Sequence, residues 1–288
     1  MKFVTFARGG PAEPGVIRDA AVVSLEPSGF PDLLSVIAAG AEGLRKAAEA
    51  ARTGAAVPLE SVKLLAPIPR PPKIICIGLN YRDHAIESKM EIPSVPTVFS
   101  KYATAVIGPG DNIVLPRNSV KPDYEAEFAV VIGRGGRHIA AGSWKEHVFG
   151  YTILNDVSAR DYQMATSQWM IGKTFDTFAP IGPWVVSAED IPDPHALDIS
   201  LAINGQVLQK SNTRELIFRV PDLIAHLSGV FTLEPGDVIS TGTPSGVGFS
   251  HKPPRWLRPG DDVAVRVEGI GELRNRCVAE EQQLSAAT

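Results

Sequence analysis

Four prolines fall within the short segment PIPRPPK (Pro67–Lys73). Proline fixes φ and has no N–H to donate, so this segment can form neither a helix nor a central strand. We therefore predict a linker at residues 67–73, between a small N-terminal α+β domain at residues 1–66 and a larger domain at residues 74–288. A chain of 288 residues is long enough for both units.

Three Pro-Gly-Asp turns mark the larger domain as rich in strands. They begin at Gly108, Glu234 and Arg258, and each leads into a run rich in β-branched residues. Proline and glycine suit the two central positions of a type II turn, so each turn predicts a following strand. We expect an α+β fold that is mainly β, with a rolled or barrel-like larger domain. Helical patterns cover only a few segments: Asp32–Arg52, Tyr81–Met90, Ala159–Gln168 and Val220–Ser228.

The composition argues against several classes of partner. A net charge of −4 gives no support to binding of nucleic acid or of an anionic membrane. No apolar run approaches the roughly 20 residues of a membrane helix, and the N-terminus lacks a signal-peptide core. Cys76 and Cys277 are interpreted as buried free thiols. We expect a cytoplasmic protein with no nucleic-acid or membrane partner.

The stretch DYEAEFAVVIG (Asp123–Gly133) reads as a strand that carries two glutamates. Alternation places Glu125 and Glu127 on one face, together with the small residues Ala129 and Val131, which could leave room for a ligand. Two adjacent carboxylates repel each other, and burial increases the cost. The strand is therefore either an exposed edge with solvated glutamates, or a strand whose glutamates bind a cation.

A third carboxylate, Asp156, follows the apolar run YTIL. Ser158, with Asp161 three residues later, resembles a capping box, so Asp156 is predicted at a strand-to-helix junction. A plain turn residue would fit the same position. Three carboxylates favour a hard cation, Mg²⁺, Mn²⁺ or possibly Ca²⁺. The six histidines show no zinc-type spacing.

Five motifs occur in a fixed order, and together they give the chain a recognisable likeness. They are IGLNYRDHAIE, DYEAEFAVVIG, LNDVSARDYQ, GKTFDTFAPIGPW and EPGDVISTGTPSGVG. Over about residues 73–277 the chain resembles the fumarylacetoacetate hydrolase family. The resemblance implies a catalytic β-roll, a homodimer, and metal-dependent chemistry on acylpyruvates and related 2-oxo acids. It also implies that Glu125, Glu127 and Asp156 are the metal ligands and that the metal is Mg²⁺ or Mn²⁺.

Three further residues are predicted to be catalytic. His84 and Glu87 are three residues apart and share a helix face, which suits a general base oriented by a carboxylate, although a solvated surface pair would show the same spacing. Lys173, in MIGKTFD, could stabilise an enolate oxygen, although most lysines lie at the surface. The resemblance implies that His84 and Glu87 activate water and that Lys173 is catalytic.

Four residues are predicted to bind substrate. Arg160 and Gln163 lie one helical turn apart, and the resemblance implies that they contact a substrate carboxylate. Thr243 lies in the glycine-rich loop TGTPSGVG, which is not a P-loop, and Tyr81 is expected at the pocket mouth. Trp169 and Met170 are candidates for the pocket rim.

The function expected from these features is a metal-dependent hydrolase that cleaves a C–C bond in an acylpyruvate of the fumarylacetoacetate or fumarylpyruvate type. Two alternatives use the same site: decarboxylation of oxaloacetate and isomerisation of a 2-hydroxydienoate. An alternative of another class is a non-catalytic domain that binds carboxylates. The expected partners are a small 2-oxo acid and a second copy of the chain.

Overall fold

A computed structural model describes residues 1–281 of the chain. The segment before the proline-rich linker forms a small group of strands and two helices. Its elements are β1 (Lys2–Ala7), β2 (Glu13–Arg18), β3 (Ala21–Ser24), α1 (Leu33–Ala38), α2 (Gly40–Thr53), β4 (Ala56–Pro58) and β5 (Lys63–Leu65).

The predicted helix Asp32–Arg52 is in fact two helices. Asp32 caps α1, and its side chain accepts a hydrogen bond from the Ser35 N–H at 2.7 Å. Gly40 has a φ of +57°, which interrupts the helical path at the start of α2.

The remaining elements form the larger domain. They are β6 (Ile74–Gly78), α3 (Arg82–Ser88), β7 (Thr97–Ser100), β8 (Val106–Ile107), β9 (Asn112–Leu115), β10 (Pro122–Asp123), β11 (Ala126–Ile132), β12 (Val148–Asn155), β13 (Ser158–Ala159), α4 (Arg160–Gln163), α5 (Met170–Lys173), β14 (Ala179–Ser187), β15 (Asp198–Ile203), β16 (Gln206–Asn212), α6 (Val220–Val230), β17 (Val238–Ser240), β18 (Asp262–Val267) and β19 (Gly271–Ala279). Short 3₁₀ helices cover Glu26–Ser28, Leu59–Ser61, Ala103–Ala105, Ala141–His147, Ala188–Asp190, Thr213–Glu215 and Gly248–Ser250. The helix predicted over Ala159–Gln168 is much shorter in the structure, where α4 covers only Arg160–Gln163.

The three Pro-Gly-Asp turns behave as predicted. Each glycine has a positive φ, and the strands β9, β17 and β18 follow them. The aspartate closes each turn, because its side chain accepts a hydrogen bond from the backbone N–H three residues earlier. The bonds run from Gly108 to Asp111 at 2.9 Å, from Glu234 to Asp237 at 2.8 Å, and from Arg258 to Asp261 at 2.8 Å.

The largest sheet has the order β4-β3-β2-β1-β14-β12-β11-β17-β6-β7. Strand β1 pairs antiparallel with β14, so the strands before the linker extend the sheet of the larger domain. A second sheet has the order β16-β15-β18-β19-β9. The α+β, mainly β prediction is confirmed. Neither sheet, as described, closes on itself into a barrel.

Strand β11 lies in the interior of the largest sheet, between β12 and β17. The interpretation of its glutamates as a solvated edge is therefore wrong. Phe128 and its face join the main core. Ala129 and Val131 pack into a second core shared with Phe3 and other residues before the linker. The side chains of this second core fill the space beside Ala129 and Val131, so no room for a ligand is left there.

Cys76 and Cys277 are free and buried, as predicted. Burial raises the pKa of both thiols, so neither is set up as a nucleophile. Among the described residues, no helix is long and apolar enough to cross a membrane.

Candidate active site

Three carboxylates converge where β11 begins and β12 ends. Ala126 pairs with Asn155, which brings Glu125, just before β11, next to Asp156, just after β12. The Asp156 N–H donates to the Glu125 carbonyl oxygen at 2.9 Å. One oxygen from each of Glu125, Glu127 and Asp156 lies within 4.8 Å of the others, and all three side chains are buried. The predicted ligand set is therefore assembled in space.

The surroundings of Glu127 indicate why such a cluster suits a cation. Its Oε2 accepts hydrogen bonds from Ser240 Oγ at 2.5 Å and from the Gly242 N–H at 2.9 Å, both uncharged donors. Burial raises the pKa of Glu127 well above its usual range, and the charges of Asp156 and Glu125 raise it further. A divalent cation would stabilise the ionised form. An all-oxygen donor set of this kind fits Mg²⁺ or Mn²⁺.

Lys173 spans two of the three carboxylates. Its buried Nζ donates to Glu125 Oε2 at 2.8 Å and to Asp156 Oδ2 at 2.9 Å. Gly172 permits this position, because a Cβ at Gly172 would lie 2.3 Å from the Gln163 backbone nitrogen and would push α5 away from α4. The predicted catalytic lysine thus lies beside the predicted metal ligands.

A second buried lysine, Lys101, was not found by sequence reasoning. Its Nζ donates to Asp156 Oδ1 at 2.5 Å and to the Val157 carbonyl oxygen at 3.1 Å. The residue lies just after β7, in FSKYATA, where neither periodicity nor a motif distinguishes it from a surface lysine. Only the pairing of β7 with β6 carries it beneath the carboxylates.

Arg160 is committed to groups within the protein. Its Nε donates to Asp123 Oδ2 and its Nη1 to Gln163 Oε1, both at 2.8 Å, while its Nη2 lies 2.6 Å from Glu125 Oε1. Arg160 and Gln163 both line the cavity, so substrate binding stays a prediction for them. The guanidinium already orients Glu125.

The same cations control the ionisation of Glu125. Burial works against the charged form, but the charges of Lys173 and Arg160 outweigh it and lower the pKa of Glu125 to about 2. The pKa of Arg160 is raised: burial lowers it, and the Glu125 and Asp123 charges more than compensate. Glu125 is therefore ionised across the physiological range and is ready to act as a ligand.

Asp123 is a further site residue that sequence reasoning left without a role. Its Oδ1 accepts from the Gly248 N–H at 2.7 Å, and its Oδ2 accepts from the Phe249 N–H at 3.1 Å as well as from Arg160. It thus ties the end of the TGTPSGVG loop to the arginine. Its position two residues before Glu125 is the sequence feature that could have identified it as a site residue.

His84 and Glu87 lie on α3 as predicted. His84 Nδ1 is 3.5 Å from Glu87 Oε2, close enough for an ion pair but without hydrogen-bond geometry. Burial pushes the pKa of Glu87 upward, yet His84 and the Gly246 N–H together lower it. His84 is buried and lines the cavity. The arrangement orients the imidazole with a carboxylate at its back, as a general base requires.

Two of the other predicted pocket residues line the cavity, and two do not. Thr243 lines the cavity, and its Oγ1 accepts a hydrogen bond from Gln209 Nε2 at 2.9 Å. Tyr81 does not line the cavity: it is fully buried in the main core, because its backbone bridges to Leu216 and directs the ring inward. Its position at the pocket mouth was wrongly predicted. Trp169 lines the cavity, whereas Met170 does not.

The predicted capping box is also absent. Ser158 belongs to β13, and its Oγ donates to the Asp156 carbonyl oxygen at 2.8 Å. Asp161 instead accepts hydrogen bonds from Ser119 Oγ at 2.7 Å and from the Val120 N–H at 2.9 Å. The carboxylate therefore holds the incoming chain before β10 instead of capping α4.

The fold and the carboxylate cluster together define a mainly β protein with a buried acidic site that could hold a metal ion, and comparison with known proteins gives the family. Residues 73–278 match the model described as fumarylacetoacetate (FAA) hydrolase C-terminal, and residues 1–67 match the model described as Rv2993c-like, N-terminal. The chain belongs to the fumarylacetoacetate hydrolase family.

Two curated relatives illustrate the match over about three quarters of the chain. The chain is 48% identical to oxaloacetate tautomerase Fahd2a, mitochondrial, of Rattus norvegicus, over 77% of this chain and 71% of the relative. It is 47% identical to oxaloacetate tautomerase FAHD2A, mitochondrial, of Homo sapiens, with the same coverage. These names place the relatives in mitochondria, and a cytoplasmic location for this chain stays a prediction.

Solved structures match nearly the whole chain. A putative HpcE protein from Mycobacterium smegmatis has a TM-score of 0.87 and 36% identity, covering 97% of this chain and 100% of that one. Maleylpyruvate hydrolase from Sphingobium sp. SYK-6, described in complex with manganese(II) ion and pyruvate, has a TM-score of 0.82 and 34% identity, covering 97% and 99%. Relatives of this chain thus include tautomerases and a hydrolase.

Proposed function

We propose that the protein is a metal-dependent enzyme that interconverts the enol and keto forms of a 2-oxo acid, with oxaloacetate as the first candidate substrate. One observation carries this proposal. Lys173 Nζ lies within 2.9 Å of two members of the Glu125, Glu127 and Asp156 cluster, on the wall of a cavity that His84 also lines. The relatives named oxaloacetate tautomerases support the reaction type.

The residues around the cavity have complementary roles. A divalent cation held by Glu125, Glu127 and Asp156 would supply Lewis-acid stabilisation of negative charge on substrate oxygens. Lys173 places an ammonium group beside the same position, where it favours an enolate over the neutral ketone. The side-chain oxygen of Gln163 accepts a hydrogen bond from Arg160, which leaves the NH₂ group to donate to a substrate oxygen.

His84 is the proposed proton carrier. Its Nδ1 faces Glu87, so its Nε2 remains to exchange a proton with the substrate. In ketonisation the enol oxygen loses a proton and C3 of the acid gains one, so the sum of atoms and charge is unchanged. Glu87 stabilises the imidazolium that exists between the two transfers.

Hydrolysis of an acylpyruvate is the second candidate. The similarity to maleylpyruvate hydrolase extends over 97% of this chain, including the region before the linker. Here His84 would take a proton from water, the hydroxide would add to the distal carbonyl carbon, and the C–C bond would break. The products would be a carboxylic acid and the enolate of a 2-oxo acid, which then gains a proton. The homodimer stays a prediction.

The test uses purified protein with Mn²⁺, with Mg²⁺ or with EDTA. Ultraviolet absorbance follows the enol form of oxaloacetate and of an acylpyruvate series, while lactate dehydrogenase reports any pyruvate formed. Metal-dependent ketonisation without pyruvate supports the tautomerase. Pyruvate from acylpyruvates supports the hydrolase, and pyruvate from oxaloacetate supports decarboxylation. Turnover that survives EDTA, or a Glu127→Ala variant with unchanged rates, contradicts the metal-dependent site.

A further inference from the structure

The cavity beside the carboxylates is lined by both charged and large apolar side chains. Its volume is about 500 Å³, and Lys173, Glu125 and Glu127 are among its charged residues. Large apolar side chains line much of the remaining wall. They are Met90, Met164, Trp169, Phe249 and Trp256. A small dicarboxylic acid bound at the charged residues would leave much of this apolar wall uncovered.

These five side chains lie outside the hydrophobic cores formed by residues 1–281. Met90, Met164 and Phe249 are 50%, 73% and 39% exposed. Large apolar groups gathered around a concave surface, and left partly exposed, mark a ligand-binding surface.

The aromatic groups of the wall pack against the chain and against one another. The Trp169 ring edge lies against the chain at Gly78, where an added Cβ would come within 2.3 Å of the ring. The same ring packs edge-on against Phe99, at 5.8 Å between centroids, and Lys173 Nζ lies 5.1 Å from the Phe99 centroid. The apolar wall is therefore continuous with the predicted reaction centre.

The second aromatic wall is braced in the same way. The Arg160 guanidinium lies 4.8 Å from the centroid of the Phe249 ring. The ring also meets His84 edge-on, at 6.3 Å between centroids. Two aromatic surfaces are thus fixed relative to the carboxylates, which suits a planar substituent on the substrate.

A second carboxylate on the substrate is the alternative occupant of this region. Lys173 and Arg160 are already paired with internal carboxylates. Lys121 lines the cavity and has no acidic partner among the described residues, but its side chain is exposed to solvent at the rim. One solvated lysine contributes less to the choice of substrate than the five apolar side chains do.

We infer that the site prefers 2-oxo acids whose substituent beyond the enolisable carbon is bulky, apolar and planar, such as an aryl group. This inference rests on the proposed function for its reaction, and it deepens that function by naming the substrate class. Burial of an aryl ring against this wall provides binding free energy that a hydrated carboxylate cannot provide there.

The experiment compares phenylpyruvate with oxaloacetate, since both have an enol form that absorbs in the ultraviolet. With the Mn²⁺-loaded protein we expect kcat/KM for ketonisation of phenylpyruvate to exceed that of oxaloacetate by about tenfold. Trp256→Ala and Met164→Ala should each lower this ratio by about tenfold, mainly through KM of phenylpyruvate. Val230→Ala, at an exposed apolar position outside the cavity, should leave the ratio unchanged.

Binding gives a readout that does not depend on turnover. N-phenyloxamate carries a ring one atom beyond its 2-oxo group and has no carbon that can enolise, and oxamate lacks the ring. Isothermal titration of the Mn²⁺-loaded protein should show N-phenyloxamate binding at least about tenfold more tightly than oxamate, with the difference reduced in Trp256→Ala. Equal affinities, or tighter oxamate, overturn the inference even if no turnover is detected.

The outcomes separate the two proposals. Failure to ketonise either acid contradicts the proposed function, and the titration then decides the substrate class. Efficient turnover of oxaloacetate with poor turnover of phenylpyruvate leaves the proposed function intact and overturns the apolar subsite. A loss of oxaloacetate turnover of about tenfold in Lys121→Met would then assign the distal carboxylate to Lys121.

Discussion

Lys101 and Asp156 form an ion pair in which both side chains are fully buried, with Nζ 2.5 Å from Oδ1. The lysine therefore holds one oxygen of a predicted metal ligand and leaves the other directed at Lys173. A charged side chain in such a place is retained only where a partner compensates for its lost hydration.

Lys101→Met should destabilise the protein strongly. It removes the charge and both hydrogen bonds while keeping the length of the side chain. The buried Asp156 carboxylate then keeps Lys173 but loses Lys101 as a charged partner. We expect a loss of about 3–5 kcal/mol in the free energy of unfolding, measured by urea denaturation. Lys210→Met, at an exposed lysine, should change it by less than about 0.5 kcal/mol. Similar values for the two variants would show that the buried pair is dispensable.

Glu127→Gln should stabilise the metal-free protein at neutral pH and weaken metal binding. Burial, together with Asp156 and Glu125, raises the pKa of Glu127, so the folded state takes up a proton that the unfolded state has lost. Stability should fall as pH rises above the unfolded pKa, by up to about 1.4 kcal/mol per pH unit. The glutamine cannot ionise, so this slope should disappear. Urea denaturation in EDTA between about pH 5 and pH 8 measures it.

Glu125→Gln is the matched control for that experiment, because the pKa of Glu125 moves the other way, to about 2. Ionised Glu125 contributes stability above its unfolded pKa, and this contribution is lost as pH falls toward about 2. The glutamine variant should therefore be less stable than the wild type at neutral pH. If both variants shift stability in the same direction, the opposed ionisation of the two glutamates is wrong.

His84→Gln should slow ketonisation, because it removes the proposed proton carrier. We expect kcat to fall by about 10²–10⁴-fold, with a smaller change in KM. His138→Asn serves as control: His138 is exposed, and asparagine tolerates its positive φ of 50°. A stopped-flow record of enol absorbance gives both constants. Normal ketonisation combined with lost acylpyruvate hydrolysis would restrict His84 to water activation.

Gly248→Ala should disturb the site through Asp123. A Cβ at Gly248 would lie 2.2 Å from the Arg255 carbonyl oxygen and 2.3 Å from Asp123 Oδ1, so the loop must move and release the carboxylate that holds Arg160. We expect a loss of about 1–3 kcal/mol in stability together with a higher KM. Gly142→Ala, where a Cβ meets open space, should change neither. Thermal unfolding and steady-state kinetics give the comparison.

The features that depend on local spacing could be predicted from the amino-acid sequence. Strand alternation placed Glu125 and Glu127 on one side of the strand, and helix periodicity paired His84 with Glu87. Each Pro-Gly-Asp turn predicted the strand that follows it. These relationships hold over two to four residues, where backbone geometry alone fixes which side chains meet.

The pairing of buried charges could not be predicted from the sequence, because it depends on contacts between distant parts of the chain. Lys101 reaches Asp156 across 55 residues of chain, Arg160 reaches Asp123 across 37, and Tyr81 turns into the core because it bridges to Leu216. A lysine that pairs with a buried carboxylate and a lysine in solvent have the same local sequence signature. What separates them is the pairing of distant strands, which determines where burial removes water and therefore where a charge must find a partner.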